Sequence, residues 1–250
     1  MPDYDFRSAR IFVDAPLAAG AAIALERDQS NYLGNVLRLK SGDAVLAFNG
    51  RDGEWQASLS GRKRPDQLAI GVQTRPQDRL PDLAYVFAPL KHARLDYIVQ
   101  KAVEMGAASL QPVLTRHTQV ARVNSERMRA NVIEAAEQCG ILSLAAVIEP
   151  VPLEGFLGER NSQRLLVFCD EASDVGDALS ALRAAEAGGH GIDVLIGPEG
   201  GFATEERTLL LRQRNTLRLS LGPRILRADT AAVAALALVQ AALGDWTAPK

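Results

Sequence analysis

Beyond residue 82 the chain alternates between short apolar runs and amphipathic stretches, and that rhythm limits the folds open to it. The runs are Tyr85–Ala88, Leu110–Leu114, Val147–Ile148, Leu165–Cys169, Val194–Ile196 and Leu217–Leu221. Between them, Leu95, Ile98, Val99, Ala102 and Val103 share one helical face, and Met128, Val132, Ala135 and Ala136 share another. Strands that alternate with helices pair in parallel and are covered on both faces, so the pattern predicts an α/β domain. Ligands of such a sheet sit in loops at the carboxyl ends of its strands.

The first eighty residues keep a different rhythm. Arg10–Val13, Ala22–Leu25, Ala44–Phe48, Glu54–Ser60 and Leu68–Thr74 are β-prone, and Asn49-Gly50, Asp52-Gly53 and Gly61 mark turns between them. One helix interrupts them, capped by Asp28 or Ser30, with Leu33, Val36, Leu37 and Leu39 on one face. Closely spaced short strands predict a small barrel. Arg75–Asp82 (RPQDRLPD), with two prolines and no periodicity, reads as the linker.

Composition excludes several classes. Hydrophobic residues make up 47% and charged residues 23%, and the formal net charge is −2. A chain-wide polycation is ruled out, so a nucleic-acid role needs a local patch. Arg7, Arg10, Arg38, Lys40, Arg62, Lys63 and Arg64 can supply one if the barrel gathers them. The start, with Asp3 and Asp5, shows no secretory leader. Ala231–Leu243 is too short for a membrane span, which takes about 20 apolar residues. A cytoplasmic protein is expected. Two cysteines, Cys139 and Cys169, and scattered His92, His117 and His190 make neither a disulfide framework nor a metal set. The first α/β turn, Ala88-Pro89-Leu90-Lys91, lacks the glycines of a dinucleotide site, and there is no Walker A or G-x-S-x-G segment.

Two segments carry the remaining chemistry. In the first, the apolar run to Ile196 enters Gly197-Pro198-Glu199-Gly200-Gly201-Phe202, then a helix that Thr204 can cap. Glycines let backbone amides approach a ligand, and a helix start favours negative charge. In the second, Leu219-Ser-Leu-Gly222-Pro223 leads to Arg224-Ile225-Leu226-Arg227, then to an alanine-rich helix capped by Asp229 or Thr230. Each arginine can meet a phosphate or carboxylate, and the apolar pair can floor a flat ring. Taken singly, the first segment is equally compatible with a structural turn, and the second reads more readily as a surface arginine pair beside two core residues.

Together, IGPEGGF and LGPRILRADTA resemble the signature of SPOUT-class RNA methyltransferases, and more narrowly of the RsmE family. ARIFV and NYLGNVLRLKSGDAVLAFNG match that family's opening, and KHARLDYIVQKAVEMGA and EAAEQCG match its central helices. The resemblance implies an α/β protein with an N-terminal PUA-like β-barrel, residues 1–78, and a C-terminal SPOUT domain, residues 82–250, closed by a trefoil knot. It implies methylation of N3 of a uridine in the decoding region of 16S rRNA, S-adenosylmethionine as cofactor and a homodimer, with no metal and no membrane. Carried over onto this chain, the cofactor is held by Phe168, Ile196, Gly197, Pro198, Glu199, Gly200, Leu221, Gly222, Ile225 and Leu226. Arg227 and Glu199 are the expected catalytic residues, and Arg10, Arg38, Lys91 and Arg94 the expected RNA contacts. Two departures stand out: no arginine follows Cys139-Gly140 closely, and Asp229 stands where the family commonly has glutamate. Competing readings are a SPOUT enzyme acting on a ribose 2′-hydroxyl or another base, a non-catalytic assembly factor that binds RNA, and a small-molecule methyltransferase.

Overall fold

A computed structural model describes residues 8–62, 64–91, 93–120, 122–170, 173, 176–185 and 187–247. Arg7 and Lys63 of the expected basic group, His92 and the N-terminal Met1–Phe6 segment lie outside these residues. The chain forms two units, one of residues 1–79 with 136–144, the other of residues 80–135 with 145–250.

In the first unit, β1 (Arg10–Phe12), β2 (Ala22–Ala24), β3 (Ala44–Phe48), β4 (Glu54–Ser60) and β5 (Gln67–Arg75) form one sheet in the order β1-β3-β4-β5-β2. β1 joins β3 in parallel and the other pairs are antiparallel. Ile11 and Ile23, from opposite edge strands, pack into one cluster with Val45, Ala57, Leu59 and Leu68. A sheet whose two edges share a core must curl around it. Gly53 (φ +79°) makes the β3–β4 turn possible, because a Cβ there would collide with the Arg75 carbonyl oxygen.

The interrupting helix differs from expectation. α1 (Arg27–Asn31) is capped at Glu26 rather than at Asp28 or Ser30: the backbone N–H of Glu26 donates to Gln29 Oε1. It runs into a π-helical turn, Tyr32–Val36, closed by Leu37 N–H donating to the Tyr32 carbonyl. The wider turn takes Leu33 into the core but leaves Val36 61% exposed and Leu37 on the surface. The four apolar residues therefore do not share a face, since the i→i+5 turn breaks the 3.6-residue period.

Beneath this sheet lies a charge network. The guanidinium of Arg10 donates to Glu54 at 2.7 Å, with both side chains 4% exposed. Arg75 donates to the same carboxylate at 2.7 Å and to the Gly140 carbonyl at 3.0 Å. Burial pushes the Glu54 carboxyl up, but hydrogen bonds from Arg75 and Arg10 outweigh it and lower the group to about 2.

The second unit is the expected α/β layer. β6 (Leu83–Phe87), β7 (Ser109–Leu114), β8 (Ala146–Val147), β10 (Leu165–Cys169), β11 (Ile192–Ile196) and β12 (Thr216–Leu219) form a sheet in the order β12-β10-β11-β6-β7-β8, with β9 (Val151–Pro152) on β7. Every pair is parallel. α2 (Ala93–Glu104) buries Ile98, Val99, Ala102 and Val103 as its apolar spacing dictates. α3 (Ser125–Cys139), α4 (Leu153–Glu159), α5 (Ala178–Ala184), α6 (Thr204–Leu211) and α7 (Ala228–Leu243) complete the helices. Among the described residues no helix is long and apolar enough to cross a membrane.

Both helix caps next to the glycine turns differ from expectation. α6 is capped at Ala203, whose N–H donates to Glu206 Oε2 at 2.9 Å, and not at Thr204. α7 starts at Ala228 with Arg227 as its cap residue, so Asp229 falls in the first turn. The early start follows from backbone geometry: Arg227 holds extended dihedrals while its carbonyl accepts the N–H of Ala231.

Candidate functional site

Three neighbouring strands, β10, β11 and β12, end at one edge of the sheet, and their following loops surround a cavity of about 790 Å³. The volume falls in the range of about 300–1,000 Å³ usual for small-molecule sites. β10 contributes Phe168 and Cys169, followed by Asp170; β11 leads into Gly197–Phe202; β12 leads into Ser220, Leu221 and Gly222 and on to Arg227.

Each loop has a local reason for its shape. A Cβ on Gly197 would lie 2.6 Å from the Phe202 ring, so only glycine lets Phe202 fold back over the strand end. There Phe202 meets Phe168 edge to face, with centroids 5.3 Å apart. Gly201 (φ +70°) closes the turn by donating its N–H to the Pro198 carbonyl at 2.9 Å. His117 Nδ1 lies 2.9 Å from the Gly201 carbonyl oxygen. On the other wall, Gly222 holds φ +98° in open space, so its need is conformational rather than steric. The chain leaves the sheet at Leu219, earlier than the apolar run to Leu221 suggests, and that frees Ser220 and Leu221 to line the cavity.

Charge is distributed unevenly around the rim. Buried Asp170 accepts from Arg207 at 2.9 Å and from Arg218 at 3.1 Å. Glu199 is ion-paired with Arg94, whose Nε also lies 3.9 Å from Asp229. Arg224 and Arg227 are exposed and make no ion pair among the described residues, and Ile225 between them is 90% exposed. Behind the wall, Tyr85 stacks on Phe87 at 4.6 Å; burial holds its hydroxyl well above the ordinary tyrosine range, and the nearby Cys169 and Asp229 add to that. Burial likewise pushes the Cys169 thiol up to about 12.

Of the residues singled out from sequence, Phe168, Ile196, Gly197, Pro198, Glu199, Gly200, Leu221, Gly222, Ile225, Leu226 and Arg227 all line this cavity. The four basic residues divide between the two units, Arg10 and Arg38 in the first and Lys91 and Arg94 in the second. Lys91 is exposed, and Arg38 is exposed with φ +59°. Arg10 is sealed beneath the first sheet on Glu54, and Arg94 is committed to Glu199. Sequence reading missed Arg207 and Arg218, which meet Asp170 only through tertiary structure. It also missed Glu206, which accepts from Arg116 N–H at 2.7 Å and so ties the β7 loop to α6. A carboxylate three residues inside a helix, on its capping side, is the one local signal it carried.

The chain resembles known proteins along most of its length. A family described as an RNA methyltransferase domain matches residues 77–240, and one described as an RNA methyltransferase PUA domain matches residues 25–66. Ribosomal RNA small subunit methyltransferase E of Rickettsia conorii is 31% identical, covering 92% of this chain and 94% of its own. The protein of the same name from Neisseria gonorrhoeae, solved with bound S-adenosyl methionine, superposes with a TM-score of 0.82 at 25% identity, covering 94% of this chain and 97% of its own. A putative methyltransferase from Legionella pneumophila, solved with the cofactor SAM, gives a TM-score of 0.78 at 28% identity, covering 94% and 98%.

Proposed function

The chain belongs to the ribosomal RNA small subunit methyltransferase E family, and from that premise we propose that it methylates N3 of a uridine in the decoding region of 16S rRNA. It is an S-adenosylmethionine-dependent rRNA methyltransferase; the nucleotide and the atom are the finer part of the reading. The observation that carries it is the convergence of three strand ends on one cavity with an unpaired arginine at its rim.

The cavity suits the cofactor. Leu221, Ile225 and Leu226 offer apolar surface to an adenine face, and the turns at Gly197–Gly201 and Gly222 bring backbone close without side chains. When bound, S-adenosylmethionine supplies a methyl group made electrophilic by its sulfonium. The remaining work falls to the chain. Uridine N3 must lose its proton, and negative charge then spreads over the ring and its oxygens. Arg227, exposed and free of an ion-pair partner among the described residues, is the cation that meets that charge. Glu199 is held by Arg94, so its part is to brace the loop and orient what binds there. Arg94 is thereby assigned to the site rather than to RNA, and Arg10 to the architecture of the first unit; Lys91 and Arg38 remain the backbone contacts to RNA.

The same reading makes residues 1–78 a PUA-like RNA-gripping domain and residues 82–250 the catalytic domain, with the family's trefoil knot in its last third. A homodimer belongs to it too: α7 is apolar almost all round, and Ile225 and Trp246 are exposed near its ends. Purified protein, labelled cofactor and small ribosomal subunits from a strain lacking the gene test the reading. Digestion to nucleosides should yield 3-methyluridine, whereas label on a ribose would replace it with a 2′-hydroxyl methyltransferase.

A further inference from the structure

A second cavity in the catalytic unit, about 470 Å³, lies apart from the cofactor cavity, and of the residues given a role above only Lys91 lines it. It lies beyond the carboxyl ends of β6 and β7, between the first turn of α2 and the chain approaching α3. Leu90, Leu95, Val120 and Met128 form its apolar surface. Lys91, Arg122 and Arg127 supply cations, Asp96 the one carboxylate, and Gln119 and Asn124 neutral donors and acceptors. Asp96 is already neutralised: Arg127 grips it with two hydrogen bonds, of 2.8 and 2.5 Å, and Asn131 adds a third at 3.0 Å. Lys91 and Arg122 make no ion pair among the described residues, so the cavity carries an unspent positive charge beside an apolar surface.

That combination suits one nucleotide of single-stranded RNA. Bases stack on apolar or planar surface, their edges need both donors and acceptors, and each phosphate seeks a lysine or arginine. The size excludes a duplex and accommodates a single splayed base. The first turn of α2 reaches both cavities, since Arg94 pairs with Glu199 on the rim of the first and Leu95 and Asp96 line the second. We infer that this cavity holds a nucleotide flanking the target uridine, with its base on Leu95 and Val120 and its phosphate on Lys91 and Arg122. The inference rests on the reading of the chain as an rRNA methyltransferase. It adds a device for selecting substrate: a strand is accepted only if it can unstack a neighbour as well as the target.

The test compares steady-state transfer to small subunits by wild type, Arg122→Ala and Val120→Trp, the last filling the cavity. Both variants should raise KM roughly tenfold, leave kcat within about twofold and keep the wild-type affinity for S-adenosylmethionine. For Arg122→Ala, the salt slope of RNA binding should also fall by about one. The Val120→Trp loss should be reproduced in wild type by one abasic site beside the target uridine in an RNA fragment, with no further loss when the two are combined. If both variants retain the wild-type KM, or if abasic and filled-cavity losses multiply, the cavity is no nucleotide site. Absence of transfer by wild type, with cofactor binding intact, would overturn this inference together with the functional reading beneath it. Arg122→Ala alters only an exposed side chain, so it reports even if Val120→Trp fails to fold.

Discussion

The two units use the same residue type in opposite ways. In the first, Arg10 and Arg75 converge on Glu54 under the sheet, and their charge is spent on architecture. In the second, Arg224, Arg227, Lys91 and Arg122 stand exposed without ion pairs among the described residues, beside cavities of a size to hold ligands. A buried arginine held in an ion pair is committed to the fold, whereas one without an ion pair at a cavity rim is available to a substrate's negative charge. The contrast explains how a chain of net charge −2 can serve RNA: what matters is where cations are left unspent.

The contrast predicts a graded set of losses. Arg227→Ala should cost about 100-fold or more in kcat, as removal of a transition-state donor does, with an unchanged melting curve and cofactor affinity. Glu54→Gln should do the reverse. It removes the negative charge that the buried Arg10 and the part-buried Arg75 share, at a cost of about 3–5 kcal/mol in urea denaturation, while molecules that remain folded keep their turnover. A milder case is Gly197→Ala, whose methyl group meets the Phe202 ring; about 1–3 kcal/mol of stability should be lost, and cofactor binding should weaken with it. Gly200→Val separates the two effects. The nearest atoms to a Cβ there belong to His117 at 3.6 Å, so the fold should tolerate it and only cofactor affinity should fall.

The smallest effects are pH effects. The folded-state pKa of Glu54 is lowered, so its stabilisation is complete above the ordinary carboxylate range and is lost as pH falls from about 4.5 towards 2. Urea midpoints of the wild type should drop across that window more steeply than those of Glu54→Gln. Equal slopes would remove Glu54 from the account of the first unit. Cys169, raised to about 12, should resist iodoacetamide at a mildly alkaline pH at which exposed Cys139 reacts.

Much of this contrast was readable from sequence, though unequally. Period-two and period-3.6 patterns placed β3, β4 and β10 at their observed bounds, because alternation and apolar runs report burial directly. The π-helical turn at Tyr32–Val36 escaped because its i→i+5 bonds leave no periodic trace. The caps of α6 and α7 escaped because backbone geometry and Glu206, rather than Thr204 or Asp229, decide where those helices begin. Glycine-proline turns announced the first cavity, since glycines and adjoining strand ends lie in the same short segments. The second cavity had no such mark: Leu95 and Val120 belong to different segments, and only the packed sheet end brings them together. The assignment of Arg94 to Glu199, 105 residues away, is of the same kind.

The central claim is that catalysis resides in Arg227, one of two arginines at the three-strand cavity that make no ion pair among the described residues. It is tested most directly by mapping 16S rRNA modifications in a strain that lacks the gene, then restoring wild type or Arg227→Ala. One uridine of the decoding region should lose its N3 methyl group in the deletion strain, regain it with wild type and stay unmodified with Arg227→Ala. Recovery of the methyl group by Arg227→Ala, or an unchanged map in the deletion strain, would contradict the account.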